Sequence, residues 1–196
     1  MKILATFDEA NYQDTVGVYE KFSVRGIIIQ NGKIAMQYGT AGEYKIPGGG
    51  PEREESYTQA LIREVHEETG LRMIEESILE LGEILEMRKD IFEHEKKYIC
   101  HSLFYYGRAM DGQDEPKLTK SEIERGYRMK WAAPEEILEG NRGFANMPWI
   151  VRDTEFIRML VAGRVVLPEK VAGIEIGYTG SSYKKRKSDM IKEKNE

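Results

Sequence analysis

The stretch from Gly49 to Leu71, GGPEREESYTQALIREVHEETGL, constrains the chain more than any other. It sets Glu55, Arg63, Glu64, Glu67 and Glu68 behind the turn Gly48-Gly49-Gly50 and ends on Gly70-Leu71. Ser56 is suited to cap a helix running to about Thr69, with Gly70 as its C-terminal stop. At about 100° per residue, Glu64, Glu67 and Glu68 share one face of that helix, while Leu61, Ile62 and Val65 form another that can pack on a core. Arg63 flanks the acidic face. Like charges at i and i+4 cost an isolated helix about 0.2–0.5 kcal/mol per pair. A cation removes that cost, and a hard cation such as Mg²⁺ prefers oxygen ligands and shares its shell with water and substrate phosphates. The glycines let bare backbone approach a ligand, and one of their carbonyls could join the metal shell. A solvated acidic helix face is the plain alternative for the glutamates taken alone.

The whole pattern resembles the signature of the Nudix hydrolases, G-x5-E-x7-R-E-U-x-E-E-x-G-U, where U is a bulky aliphatic residue. Every specified position is filled, and Ile46-Pro47-Gly48-Gly49-Gly50 resembles the family's lead-in. Many members place a glycine just before the first glutamate, whereas this chain has Glu54. The resemblance implies an α/β fold, an α/β/α sandwich around a mixed β-sheet. It also implies hydrolysis of a nucleoside diphosphate linked to another group, with Mg²⁺ as cofactor and Mn²⁺ as a substitute. Carried over position by position, it makes Glu64, Glu67 and Glu68 the carboxylate ligands and the Gly48 carbonyl an added one. Arg63 and Glu55 become a supporting salt bridge, since an arginine fork matches a carboxylate and such pairs hold ligands in place. The general base is Glu64 or a glutamate outside the motif, with Glu122 and Glu124 the first to consider. Arg25, Gln37, Tyr38, Tyr44 and Lys45 lie on segments that the family fold brings near the glycine turn. There, Arg or Lys can grip phosphate and Tyr can stack on a base. A proline or tyrosine that marks some substrate subgroups downstream is missing at Glu86, Met87 and Arg88. Nucleoside triphosphates, other nucleotide sugars and small diphosphates stay open. A non-catalytic module that binds a nucleotide as sensor or scaffold is the competing reading.

The chain's 196 residues, 40% hydrophobic and 32% charged, suit one domain with some extra length. A net charge of −5 suggests no attraction to nucleic acid or membrane surfaces. Cys100 is the only cysteine, so no internal disulfide can form, and its neighbours read as a strand that packs the thiol. No apolar run approaches a membrane span and no signal-peptide core opens the chain, so the expected location is cytoplasmic.

Strands are expected at Ile3–Phe7, Thr15–Tyr19, Phe22–Gln30, Lys33–Tyr38, Tyr44–Pro47, Leu79–Arg88, Tyr98–Met110 and Tyr127–Ala132. Asn31-Gly32 joins two of them as a hairpin. Asp111–Ser121 reads as an exposed loop, Ala133–Leu138 as a short helix opened by Pro134, and Arg152–Ala162 as a helix. The Nudix domain is therefore assigned to residues 1–167, with residues 1–20 as extra N-terminal strands. Residues 168–196 form an extension, its last stretch polar and flexible, that could serve as an interaction arm in a homodimer. The basic run Lys184–Lys187 reads as a solvated tail.

Overall fold

The computed structural model describes residues 1–167, 170–171 and 174–175. In chain order the strands are β1 (Ile3–Asp8), β2 (Gly17–Ile27), β3 (Ile29–Gln30), β4 (Lys33–Tyr38) and β5 (Tyr44–Lys45). Helix α1 (Tyr57–Thr69) and a 3-10 turn at Glu75–Ser77 precede the long β6 (Leu79–Lys89) and β7 (Lys96–Tyr106). Then come α2 (Lys120–Glu124), β8 (Arg128–Ala132), α3 (Pro134–Gly140), a 3-10 turn at Asn141–Gly143 and α4 (Pro148–Val161). Two short antiparallel strands, β9 (Lys170–Val171) and β10 (Ile174–Glu175), follow. The rest of the C-terminal extension, with its expected flexible end and interaction arm, lies outside the described residues. The chain divides into two compact units.

The first unit comprises Met1–Ile27 and Pro47–Lys117. Its sheet has the order β1-β6-β7-β2, with β6 and β7 antiparallel and both outer pairs parallel, so it is mixed. Helix α1 packs on β2. It begins and ends where the sequence predicts. Ser56 accepts the Gln59 amide, the Gln59 side chain returns the bond to the Ser56 amide, and Gly70 stops the helix at φ 74°. Ala60, Leu61 and Val65 are fully buried along one stripe of α1, and Val24, Ile27, Ile84 and Phe104 on the sheet are buried completely as well. Each of these side chains larger than alanine contributes roughly 1.5–3 kcal/mol. The segments read as two strands, Thr15–Tyr19 and Phe22–Gln30, differ from the observed course. Gly17–Ile27 is one strand, because it runs beside β7 in unbroken register from Gly17↔Lys96 to Ile27↔Tyr106.

The second unit comprises Ile28–Ile46 and the chain from Leu118. Here β4 carries β3 and β5 on one edge and β8 on the other, all antiparallel. Asn31 and Gly32, at φ 49° and 74°, form the two-residue turn between β3 and β4. Ile34, Met36, Ile46 and Ala132 from the sheet, and Ile150, Phe156, Ile157 and Leu160 from α4, are buried. Two elements depart from expectation. α4 starts at Pro148 rather than Arg152, because proline is favoured in the first turn. Within the expected loop before β8, Thr119 and Glu122 close a capping box that folds α2.

Candidate active site

Arg63 is the hub of the acidic face. Its Nε and Nη2 donate to the two Glu55 oxygens, each at 2.9 Å. Nη1 donates to Glu64 at 2.9 Å and Glu67 at 3.1 Å, and Nη2 also reaches the Gly50 carbonyl at 3.1 Å. The bond to Glu55 comes first among the causes that hold the Arg63 pKa far above its ordinary value. The same bond holds the Glu55 carboxyl below the usual range. One guanidinium thus braces the glycine turn, the loop acid and two helix acids.

Glu68 bonds the backbone of the turn itself. It is 4% exposed, and its Oε2 accepts the Gly48 amide at 2.6 Å. The glycine loop is pressed against its neighbours. A Cβ at Gly49 would lie 2.4 Å from the Glu64 carboxylate, and one at Gly48, where φ is 140°, would lie 2.0 Å from the Val24 carbonyl oxygen. Only glycine leaves Glu64 in this place. The loop also extends the sheet, since the Val24 amide donates to the Gly49 carbonyl and the Gly26 amide to that of Pro47.

Arg25, expected to grip phosphate, is buried and its Nη1 donates to the Gly48 carbonyl. That carbonyl, expected as a metal ligand, keeps one lone pair for another partner. Among the described residues no group of three His, Cys, Asp or Glu side chains converges to hold a metal ion. The physical reason is local: Glu64 and Glu67 are both drawn to Arg63, and Glu68 to the Gly48 amide. The donor chemistry still suits a hard cation, with three carboxylates on one helix face. Glu67, whose side chain is 39% exposed, offers its oxygens to solvent most openly.

The remaining candidates lie in the second unit. Gln37 and Lys45 are cross-strand neighbours, and Glu122 Oε1 meets both, at 3.4 Å from Gln37 Nε2 and 3.6 Å from Lys45 Nζ. The other Glu122 oxygen is committed to the Thr119 amide and hydroxyl. Glu124 is exposed and lies 3.9 Å from Lys120. Tyr38 and Tyr44 pair one residue along, hence on the opposite face, with ring centroids 4.7 Å apart. Sequence reasoning missed what engages them. Lys130 Nζ donates to the Tyr44 hydroxyl at 2.7 Å, lies 2.6 Å from Glu136 and sits 4.4 Å from the Tyr38 ring centre. Only the β4–β8 pairing, which sets Met36 opposite Lys130, brings that lysine in, and no local pattern announces it.

Comparisons with known proteins agree with the fold. The profile of the NUDIX domain matches residues 11–151. A NUDIX hydrolase from Nitrosomonas europaea is 22% identical, with 70% of this chain and 87% of that one covered and a TM-score of 0.52. A nudix hydrolase family member from Chromobacterium violaceum is 24% identical over 88% and 92% of the two chains, with a TM-score of 0.48. An ADP-ribose pyrophosphatase from Streptococcus suis is 18% identical over 59% and 75%, with a TM-score of 0.38. No curated protein matches. With its glycine turn and its capped acidic helix inside the matched region, this chain belongs to the Nudix hydrolase family.

Proposed function

We propose that the protein is a divalent-metal-dependent pyrophosphohydrolase that cleaves a nucleoside diphosphate linked to another moiety. Nucleoside triphosphates and nucleotide sugars lead the candidates. One observation carries this reading: Arg63 gathers Glu55, Glu64, Glu67 and the Gly50 carbonyl into a single hydrogen-bonded group beside the glycine turn.

Glu64, Glu67 and Glu68 would hold Mg²⁺ or Mn²⁺, with the Gly48 carbonyl beside them. When bound, the ion neutralises diphosphate charge and makes water a stronger nucleophile at neutral pH. The chain supplies the rest. The glycine turn admits the phosphates close to backbone, and Glu55 fixes the Arg63 fork in the plane from which it presents Glu64 and Glu67. Water must lose a proton as it attacks phosphorus, and Glu64, whose carboxylate packs beside Gly49, is the proposed acceptor. Glu122 has one oxygen fixed by the cap of α2, a placement that suits positioning of Lys45 and Gln37 better than proton transfer.

The test is a phosphate-release screen over nucleoside triphosphates, dinucleoside polyphosphates and nucleotide sugars with Mg²⁺ or Mn²⁺. Turnover that vanishes on chelation and in a folded Glu67→Gln or Glu68→Gln variant supports the reading. Full turnover in both variants, or none by the wild type on any substrate, overturns it.

A further inference from the structure

The first unit holds a cavity of ≈ 500 Å³ at the N-terminal end of α1. It is lined by Tyr57, Thr58, Glu75, Ile78, Glu80 and Tyr105. Two of its lining residues are tyrosines. Tyr57 opens α1 and is anchored by stacking on Phe22, with ring centroids 5.9 Å apart. Tyr105 is 5% exposed and sits directly across from Glu80 in the β6–β7 register, where the pairing shifts between Glu80 and Gly82. The Tyr105 hydroxyl has no hydrogen-bond partner among the described residues, although the rest of the side chain is buried. Burial first, then the nearby Glu80 and Tyr57, pushes the Tyr105 pKa up to about 12, so the phenol is neutral and its oxygen can accept a bond.

The rim is acidic. Glu75 and Glu80 are exposed at the opening, neither forms an ion pair among the described residues, and no cationic side chain lines the cavity. The N-terminal end of α1 carries about half a positive charge, against the two full negative charges of these carboxylates. Aromatic walls under carboxylates are the arrangement that attracts a soft, extended cation.

We propose that this cavity binds a small organic ammonium ion, its N–H groups donating to Glu75, Glu80 and the Tyr105 hydroxyl and its alkyl part lying on Tyr57 and Ile78. The site is independent of the proposed hydrolysis. The probe is spermidine, titrated by calorimetry into the full chain with saturating Mg²⁺ present, together with NMR of the tyrosine ring protons. Saturable binding with shifts at Tyr57 and Tyr105 is expected. Glu80→Gln and Glu75→Gln should each weaken it by about fivefold or more, and Tyr105→Phe by about threefold, while Glu76→Gln and Glu67→Gln leave it unchanged. Three results would overturn the proposal: no saturable binding, equal weakening by Glu76→Gln, which marks general attraction to an acidic surface, or loss of binding in Glu67→Gln, which places the amine on the acidic helix face.

Discussion

Single residues at this site do work that their type alone does not announce. Gly49 is one: the volume of a single methyl group at that position belongs to the Glu64 carboxylate. Gly49→Ala should therefore displace Glu64 and lower kcat by an order of magnitude or more, with little change in unfolding midpoint, as single-turnover kinetics and denaturant titration would show. His101 is another. Its ring stacks on Phe22 at 4.3 Å, and its nitrogens face Glu83 at 2.6 Å and Glu20 at 2.9 Å. Burial opposes its charge, but the two carboxylates outweigh burial and raise its pKa above the ordinary histidine value. A raised folded-state pKa means that the stabilisation is fully present below the unfolded value of about 6.5 and fades as pH rises through the folded one. Urea midpoints should fall across that window in the wild type and stay level in His101→Phe. Glu55 has the opposite sign: its depressed pKa contributes above the unfolded value of 4.5 and fails as pH drops through the folded one. The sequence identified Arg63 and Glu55 as a pair. It could not show that the same arginine also holds Glu64, Glu67 and Gly50, because that depends on how the turn folds back over the helix.

Helix α1 illustrates what a local pattern can and cannot convey. Its ends were legible: the S-x-x-Q capping box and Gly70 fix both boundaries. Ser56→Ala should cost about 1 kcal/mol, read as a shift in urea midpoint. Less legible is what surrounds the far end. The loop after β7 straps it down, with the Asp114 amide donating to the Gly70 carbonyl, the Lys117 amide to that of Glu67 and the Gln113 side chain to that of Thr69. A Cβ at Gly70 would lie 1.9 Å from the Asp114 carbonyl oxygen. Gly70→Ala therefore meets both a left-handed backbone, at φ 74°, and a collision, and should destabilise by about 1–3 kcal/mol, more than a helix stop alone would predict. Glu54 shows the converse. It takes φ 68°, a backbone conformation that glycine adopts freely and other residues rarely take. The capping box of α2 was written in Thr119–Glu122 and lost in a polar stretch that read as loop, because a helix of five residues offers too little periodicity.

At the scale of the whole molecule, a short signature was enough to place the chain in its family, since its spacing encodes a helix, a turn and a brace at once. The expected substrate contacts resisted the same reading. Gln37, Lys45 and Glu122 meet only through the β4–β5 pairing and the placement of α2, which separate residues by as many as 85 positions in sequence. A bound ion should also register globally. Mg²⁺ at about a hundredfold its Kd stabilises the native state by roughly 2.7 kcal/mol, so melting temperature should climb with Mg²⁺ in the wild type and stay flat in a Glu64→Gln, Glu67→Gln double variant. Arg63 has a last consequence. Because its guanidinium bonds both Glu64 and Glu67, the acidic helix carries its own counter-charge. On the proposed function, a metal ion taking those carboxylates would compete with the guanidinium for them. Its affinity is therefore a difference between two competitors, and trimming the resident charge, as in Arg63→Gln, should tighten metal binding while it loosens the geometry that makes the metal useful.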